Sequence, residues 1–189
     1  MRIIAGEFRS RILAAPRGME TRPTSDRLRE TLFNILGPRV QGSRFADLYS
    51  GSGAVGIEAI SRGALHVHFA ENAPAALTAI RDNLKLLKIT KNFMIHERTA
   101  LGALERLKEQ GSVQDIVYLD PPYEAEKEYD QILRMLGGAA HERLLAEDAI
   151  VIAEHSSRKS LSEHYGSLQR TRVKDQGAAA LSFYQIQME

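Results

Sequence analysis

The sequence predicts an α/β protein: a Rossmann-like, seven-stranded, mostly parallel sheet with an antiparallel last strand, preceded by a small hairpin-and-helix appendage. Three observations carry that expectation. After residue 44, short apolar runs alternate with longer segments of helical periodicity, which is how strands and their crossover helices read in a parallel sheet. The first run leads into Gly51-Ser52-Gly53-Ala54-Val55-Gly56, a turn that lets a ligand approach the backbone and leaves helix N-terminal amides facing it. No helical segment separates the last two runs, so these two strands are expected to pair antiparallel.

The appendage comes first. Residues 2–5 and 11–13 are expected to form a hairpin. Pro23-Thr24-Ser25-Asp26 then opens a helix with Leu28, Leu32, Phe33 and Leu36 facing inward, ended by Gly37-Pro38. Residues 1–43 are too few to bury a core of their own, so they must dock on the domain formed by residues 44–189. In that domain, residues 44–49 read as the first strand and 54–62 as a helix capped by Gly63. Residues 66–70 are the second strand, ending at Glu71. The helix from Pro74 places Leu77, Ile80, Leu84 and Leu87 at core-facing spacing, with proline in the first turn. Residues 93–96 give a third strand, 101–110 a helix and 115–119 the fourth strand. Residues 131–136 belong to a helix stopped by Gly137-Gly138. Residues 149–153 are a buried fifth strand ending at Glu154, and residues 168–188 hold the final pair, the last strand covering 181–186.

A chain of 189 residues with 43% hydrophobic and 26% charged content buries a substantial core. The absence of cysteine excludes disulfides and thiolate metal sites. His66 and His68 share a strand face, and the six histidines together form no ligand constellation, so no metal is assigned. Residues 1–7 lack a signal-peptide core, and residues 149–153, the longest purely aliphatic stretch, are far too short to span a bilayer. A soluble, cytoplasmic protein is expected, with no membrane partner. The net charge of +1 hides an asymmetry. Residues 1–44 carry nine arginines and no lysine against Glu7, Glu20, Asp26 and Glu30, while the remainder is net acidic. Guanidinium forks bind phosphate bidentately and stack on bases, so this segment points to nucleic acid. Arg9, Arg11, Arg17, Arg22 and Arg27 are the candidate RNA-binding residues.

The glycine-rich turn carries a cofactor reading. Tyr49, Ser50, Gly51, Gly53 and Gly56 form the loop, and Glu71 with Asn72 ends the second strand, where a carboxylate accepts ribose hydroxyls. Alone, these residues fit a nicotinamide dinucleotide as well as S-adenosyl-L-methionine. Two features choose the latter. Asp47 sits four residues before the first glycine, an arrangement common in methyltransferases, where it lies near the methionine end of the cofactor. The stronger feature is Asp120-Pro121-Pro122-Tyr123, set directly after the buried run Ile116-Val117-Tyr118-Leu119.

That string resembles the amino-methyltransferase signature. The prolines fix their own backbone and restrain Asp120, so their carbonyls are expected to point outward, unused by a helix or ladder. Asp120 and a neighbouring carbonyl can accept the two hydrogens of an exocyclic amine, and Tyr123 can stack on the ring bearing it. The resemblance becomes specific with the appendage. Arg2-Ile3-Ile4-Ala5-Gly6, Pro16-Arg17-Gly18, the run from Thr21 to Leu36 and Gly56-Ile57-Glu58-Ala59-Ile60-Ser61-Arg62-Gly63-Ala64 closely resemble the RsmD family of bacterial 16S rRNA (guanine-N2)-methyltransferases. The resemblance implies a class I methyltransferase fold and S-adenosyl-L-methionine as donor. It also implies one guanine of 16S rRNA as target. The sequence itself leaves open free rRNA or an assembling small ribosomal subunit as the form of that substrate, and a monomer is expected for a chain acting on a large RNA surface. In one place the chain departs from the general class I pattern: Arg98-Thr99-Ala100 stands where many relatives carry an acid, leaving Thr99 as the candidate partner of the adenine amine. Strands one and four flank the switch point of such sheets, so the cofactor and amine-binding loops are expected to share one crevice. The alternatives are a DNA or protein amino-methyltransferase, or a non-catalytic RNA-binding assembly factor.

Overall fold

A computed structural model describes residues 1–16, 25–122 and 125–187, with the side chain of residue 126 left aside. The chain divides into two compact units, Met1–Thr99 and Ala100–Glu189.

In the first unit, helix α1 (Asp26–Leu36) begins where Ser25 Oγ accepts the Leu28 N–H at 3.1 Å, and it runs into a 3-10 turn at Gly37–Val40. Strands β1 (Arg44–Leu48), β2 (His66–Glu71) and β3 (Phe93–Glu97) form a parallel sheet with β2 in the middle. Helices α2 (Ala54–Ser61) and α3 (Pro74–Leu86) are the crossovers. The α3 residues Leu77, Ile80 and Leu84, and Leu87 just past its end, are buried as their spacing requires. Gly56 marks the closest approach of helix to sheet: a Cβ there would lie 2.3 Å from the Phe69 ring, so only glycine lets α2 pack down on β2.

The expected hairpin forms in short form: Arg2 and Ile12 pair as an antiparallel bridge, with the Ile3 N–H donating to Arg11 O at 2.9 Å, the Ser10 N–H to Ile3 O at 2.9 Å and the Leu13 N–H to Met1 O at 3.0 Å. It does not extend to Ile4 and Ala5, because their backbone donors go elsewhere. Glu58, fully buried on α2, accepts the N–H groups of Ile4 at 2.7 Å and Ala5 at 3.0 Å, and pairs with Arg62 at 2.8 Å. Ser61 Oγ donates to Ala5 O at 2.6 Å and accepts the Phe8 N–H at 3.0 Å. Asn83 on α3 brackets Ala14 from both sides, at 2.8 and 3.0 Å. The amides of Ile4, Ala5, Phe8 and Ala14 are taken by side chains of the helices beneath them and so are lost to the hairpin ladder. Gly6 sits in the left-handed region with φ +83°, and a Cβ there would meet Ser61 O at 1.8 Å.

In the second unit, α4 (Ala100–Gln110) precedes β4 (Gln114–Leu119), and α5 (Glu126–Leu136) precedes β5 (Leu145–Ser156). Strands β6 (His164–Tyr165), β7 (Leu168–Gln176) and β8 (Ala179–Ile186) complete a sheet in the order β4-β5-β8-β7-β6. β4 and β5 are parallel, while β8 runs antiparallel to both β5 and β7. The antiparallel expectation for the last pair holds. Strand β5 extends well beyond residues 149–153 because its first half is partly exposed and carries no apolar run. Eight strands occur among the described residues rather than seven. The extra one, β6, is two residues long, too short for any periodicity to announce it.

Candidate functional site

Parallel strands that share a register end together, so the sheet of the first unit gathers its functional residues at one edge. Leu48 is level with Ala70, and Glu71 with Glu97, which brings the loop after β1, the Glu71-Asn72 end of β2 and the Arg98-Thr99 segment after β3 to the same side. Sequence-expected residues from three separate stretches thus share an edge. Thr99 and Asn72 are exposed there.

The glycine loop is tied down from beneath. Tyr49 takes a left-handed conformation, φ 67°. Ser50 Oγ donates to Asp47 O at 2.7 Å, and the Gly53 N–H donates to Ser50 O at 2.7 Å. Glu71 accepts three backbone N–H groups, from Gly51 at 2.9 Å, Asn72 at 2.8 Å and Ala73 at 2.9 Å. A carboxylate has about four acceptor positions, so Glu71 fixes the loop and keeps capacity for a hydroxyl. At Gly51 the space a Cβ would fill is open to 4 Å. An open approach to the backbone beside a fixed carboxylate suits the ribose and phosphate-free backbone contacts of a nucleoside ligand.

Asp47 is 1% exposed and its Oδ2 accepts the Gly56 N–H at 2.9 Å, tying the end of β1 to the first turn of α2. Burial pushes its carboxyl up to about 7; the Gly56 bond opposes the rise and the nearby Glu71 charge adds to it. A neutral, buried acid at this point becomes a charged one when a cation is bound beside it.

In the second unit the expected amine-binding string follows β4 directly. Asp120 is half-buried, Pro121 buried and Pro122 exposed; Tyr123 lies outside the described residues. The Pro122 carbonyl is in use, though by neither a helix nor a ladder: it accepts the Ala125 N–H at 2.8 Å ahead of α5. The Pro121 carbonyl meets Tyr129 Oη at 3.4 Å, but that hydroxyl donates its single hydrogen to Glu154 O at 2.8 Å. Among the described residues, Pro121 O thus keeps a lone pair beside Asp120.

Behind the string lies a buried polar layer that the sequence reading treated as structural background. Glu154, 4% exposed, accepts a hydrogen bond from Tyr118 Oη, and the Lys159 ammonium stands 4.5 Å from the centroid of the Tyr129 ring. His155 bonds Ser182 Oγ at 2.8 Å. In the first unit, His68 and His96 meet at 3.0 Å, and burial first, then His66 and His96, pushes His68 down to about 3. No group of three or more potential ligands that could hold a metal occurs among the described residues.

Arg9, Arg11 and Arg27 are exposed and form no ion pair among the described residues, whereas Arg17 and Arg22 lie outside them. Arg29, one of the nine arginines, is fully buried; it binds Arg2 O at 2.5 Å and Asp26 at 2.8 Å, a structural role. Glu58 is the residue that sequence reasoning passed over, and its signal was legible: one carboxylate in the apolar run Ala54–Ser61. Among the described residues no helix is long and apolar enough to cross a membrane.

The family model described as "Conserved hypothetical protein 95" matches residues 1–185. "Putative rRNA methyltransferase YlbH" of Bacillus subtilis is 35% identical over 184 residues, covering 97% of this chain and 98% of that one. "Ribosomal RNA small subunit methyltransferase D" of Escherichia coli K12 is 31% identical over 185 residues, 98% of this chain and 89% of that one. The solved structure of "Putative methyltransferase yhhF" from Escherichia coli superposes with a TM-score of 0.81 at 31% identity, covering 100% and 99% of the two chains. The fold is the mixed, mostly parallel α/β fold of class I methyltransferases, and the chain belongs to the RsmD family, whose members are named ribosomal RNA small subunit methyltransferase D.

Proposed function

We propose that this protein transfers a methyl group from S-adenosyl-L-methionine to the exocyclic N2 of one guanine in 16S rRNA, presented as free rRNA or within an assembling small subunit. The observation that carries the reading is the half-buried Asp120 at the end of β4, followed by a buried proline whose carbonyl keeps a lone pair available. Family membership and the names of the relatives support rRNA as the acceptor.

In this reading the first unit holds the cofactor: Gly51 and Gly53 allow close approach, Glu71 accepts ribose hydroxyls, Asp47 faces the cationic methionine end, and Tyr49, Ser50, Gly56, Asn72 and Thr99 shape the remainder. When bound, the cofactor supplies an electrophilic methyl group on sulfonium sulfur. Guanine N2 is a poor nucleophile because its lone pair is delocalised into the ring. Asp120 and Pro121 O accept the two N2 hydrogens and hold the amine with its lone pair exposed. Asp120 stabilises the positive charge that develops on N2 as the N–CH3 bond forms and the S–CH3 bond breaks, the sulfur leaving as a neutral thioether. N2 then gives up one proton to Asp120 or to solvent, and alignment supplies the remainder of the rate gain. Pro122 stiffens the loop and Tyr123 stacks on the base, which has left its own stack. Arg9, Arg11, Arg17, Arg22 and Arg27 hold rRNA phosphates. The protein acts as a cytoplasmic monomer, with no metal taking part.

The test is methyl transfer from labelled S-adenosyl-L-methionine to 16S rRNA, and to small-subunit particles from cells lacking the protein, with the modified nucleoside mapped. A single N2-methylguanosine is the expected product. Labelled DNA or protein in place of rRNA would move the acceptor to another class, and cofactor binding without transfer to any acceptor would favour a binding role.

A further inference from the structure

We propose that the ribbon formed by β7 and β8 is a second phosphate-holding surface, which grips the rRNA strand flanking the target nucleotide. The inference rests on the reading of the chain as an rRNA methyltransferase, but its observations are separate from the amino-terminal arginines. Residues 157–187 carry Arg158, Lys159, Arg170, Arg172 and Lys174 against only Glu163 and Asp175. Residues 100–156 carry five basic side chains against twelve acidic ones, so the ribbon is a basic island in an acidic unit.

Two of the five cations are used internally. Arg170 pairs with Glu163 at 3.2 Å and donates to Leu161 O at 2.7 Å, and Lys159 lies against the Tyr129 ring. The other three, Arg158, Arg172 and Lys174, are exposed and make no ion pair among the described residues. Arg172 and Lys174 are two residues apart on one strand and so project from the same face; their partners across the ladder are Phe183 and Leu181. Arg158 follows Ser157, whose N–H donates to Ala178 O at 2.9 Å in the β7–β8 turn. Arg172 and Lys174 thus stand on the ribbon, and Arg158 lies in the segment after β5 that bonds the ribbon's turn.

The ribbon ends where the chemistry is. Leu119 is level with Ala153, which places Asp120 level with Glu154; Glu154 pairs with Leu181, and Leu181 with Lys174. Three inter-strand steps separate Asp120 from Lys174, about 14 Å, within a few nucleotides of a base held at Asp120. An alternative role for these charges is to block edge-to-edge pairing, because β6 pairs with Leu168 and Gln169, the Arg170 N–H donates to Glu163 O, and among the described residues no strand pairs with the remainder of that edge of β7. Edge protection is served by charge of either sign. Phosphate binding needs positive charge, and the face of β7 that carries Arg172 and Lys174 is positive, Asp175 standing on the opposite face.

Charge reversal separates the two roles. In the full chain, R172E/K174E keeps a charged edge but repels phosphate. Binding to a 16S rRNA transcript should weaken at least tenfold near 0.1 M salt, and the slope of log K against log salt should become shallower by about 1.4–1.8 for two lost contacts. Cofactor affinity and melting temperature should stay at wild-type values. R172Q/K174Q, which adds no repulsion, should lose the same slope with a smaller loss of affinity, and it decides the matter if the reversed variant misfolds. Wild-type affinity and slope in a variant that melts normally would overturn the ribbon alone. Absence of rRNA binding by the wild-type chain would overturn the ribbon together with the functional reading beneath it.

Discussion

Asp47 and Asp120 both end parallel strands, yet their surroundings give them different chemistry. Asp120 is half-buried beside two prolines, placed to accept hydrogens from an amine. Replacing it by Ala should leave cofactor affinity unchanged and lower turnover by about 10²–10³, the scale for losing one preorganised partner of developing charge; full activity of that variant would overturn the mechanism. Asp47 is buried and held near pH 7. Its pKa in the unfolded chain is 3.8, so between those values the folded protein binds the extra proton. Its contribution to stability is therefore greatest below about pH 4 and declines as pH rises to about 7. Asp47→Asn should remove that decline and stabilise the cofactor-free protein at pH 8 by up to about 4 kcal/mol, read as the difference between the two melting curves across pH. The same substitution should weaken cofactor binding and abolish any strengthening of that binding as pH rises through 7.

At the scale of elements, the appendage pairs its own ends in a short hairpin and is docked by side chains of the helices below it. Glu58 receives two backbone donors and one guanidinium. Hydrogen bonds to charged groups contribute about 1.5–3 kcal/mol each, but removing Glu58 also removes the cost of burying it. Glu58→Ala should therefore destabilise by about 2–4 kcal/mol, and residues 1–15 should become the first site of limited proteolysis. Unchanged protease resistance would show that Ser61 and Asn83 suffice to dock the segment. In the same layer, Gly56→Ala sets a methyl group against the Phe69 ring, and overpacking of this kind costs about 1–3 kcal/mol. It also shifts the amide that binds Asp47, so cofactor affinity should fall with the melting temperature.

For the whole molecule, the relevant quantity is how charge is distributed. A net charge of +1 says little about RNA binding, since the excess of cations over acids lies in the amino-terminal segment and in residues 157–187 around the β7–β8 ribbon, while residues 100–156 are strongly acidic. Replacing Arg9, Arg11 and Arg27 together by Ala should weaken binding to 16S rRNA and make its salt dependence shallower by about 2–3, with the fold intact because all three are exposed. Wild-type binding in that variant would leave the appendage without a role in holding rRNA.

The sequence by itself determined the alternation of strands and helices, the glycine turn, the string at Asp120 and the family. Each of these is local: a period, a φ preference or a run of a few residues is written in consecutive positions. Tertiary structure decided the remainder. The amides of Ile4 and Ala5 looked available for a hairpin, and only the packing of α2 showed that Glu58 takes them. His68 and His96 stand 28 positions apart and meet only through the β2–β3 register. Pro122 O looked free until the Ala125 amide closed on it, and the basic ribbon emerges only once β5 and β8 place Lys174 level with Asp120. Hydrogen-bond partners and charge neighbours depend on distance in space, which chain position does not encode.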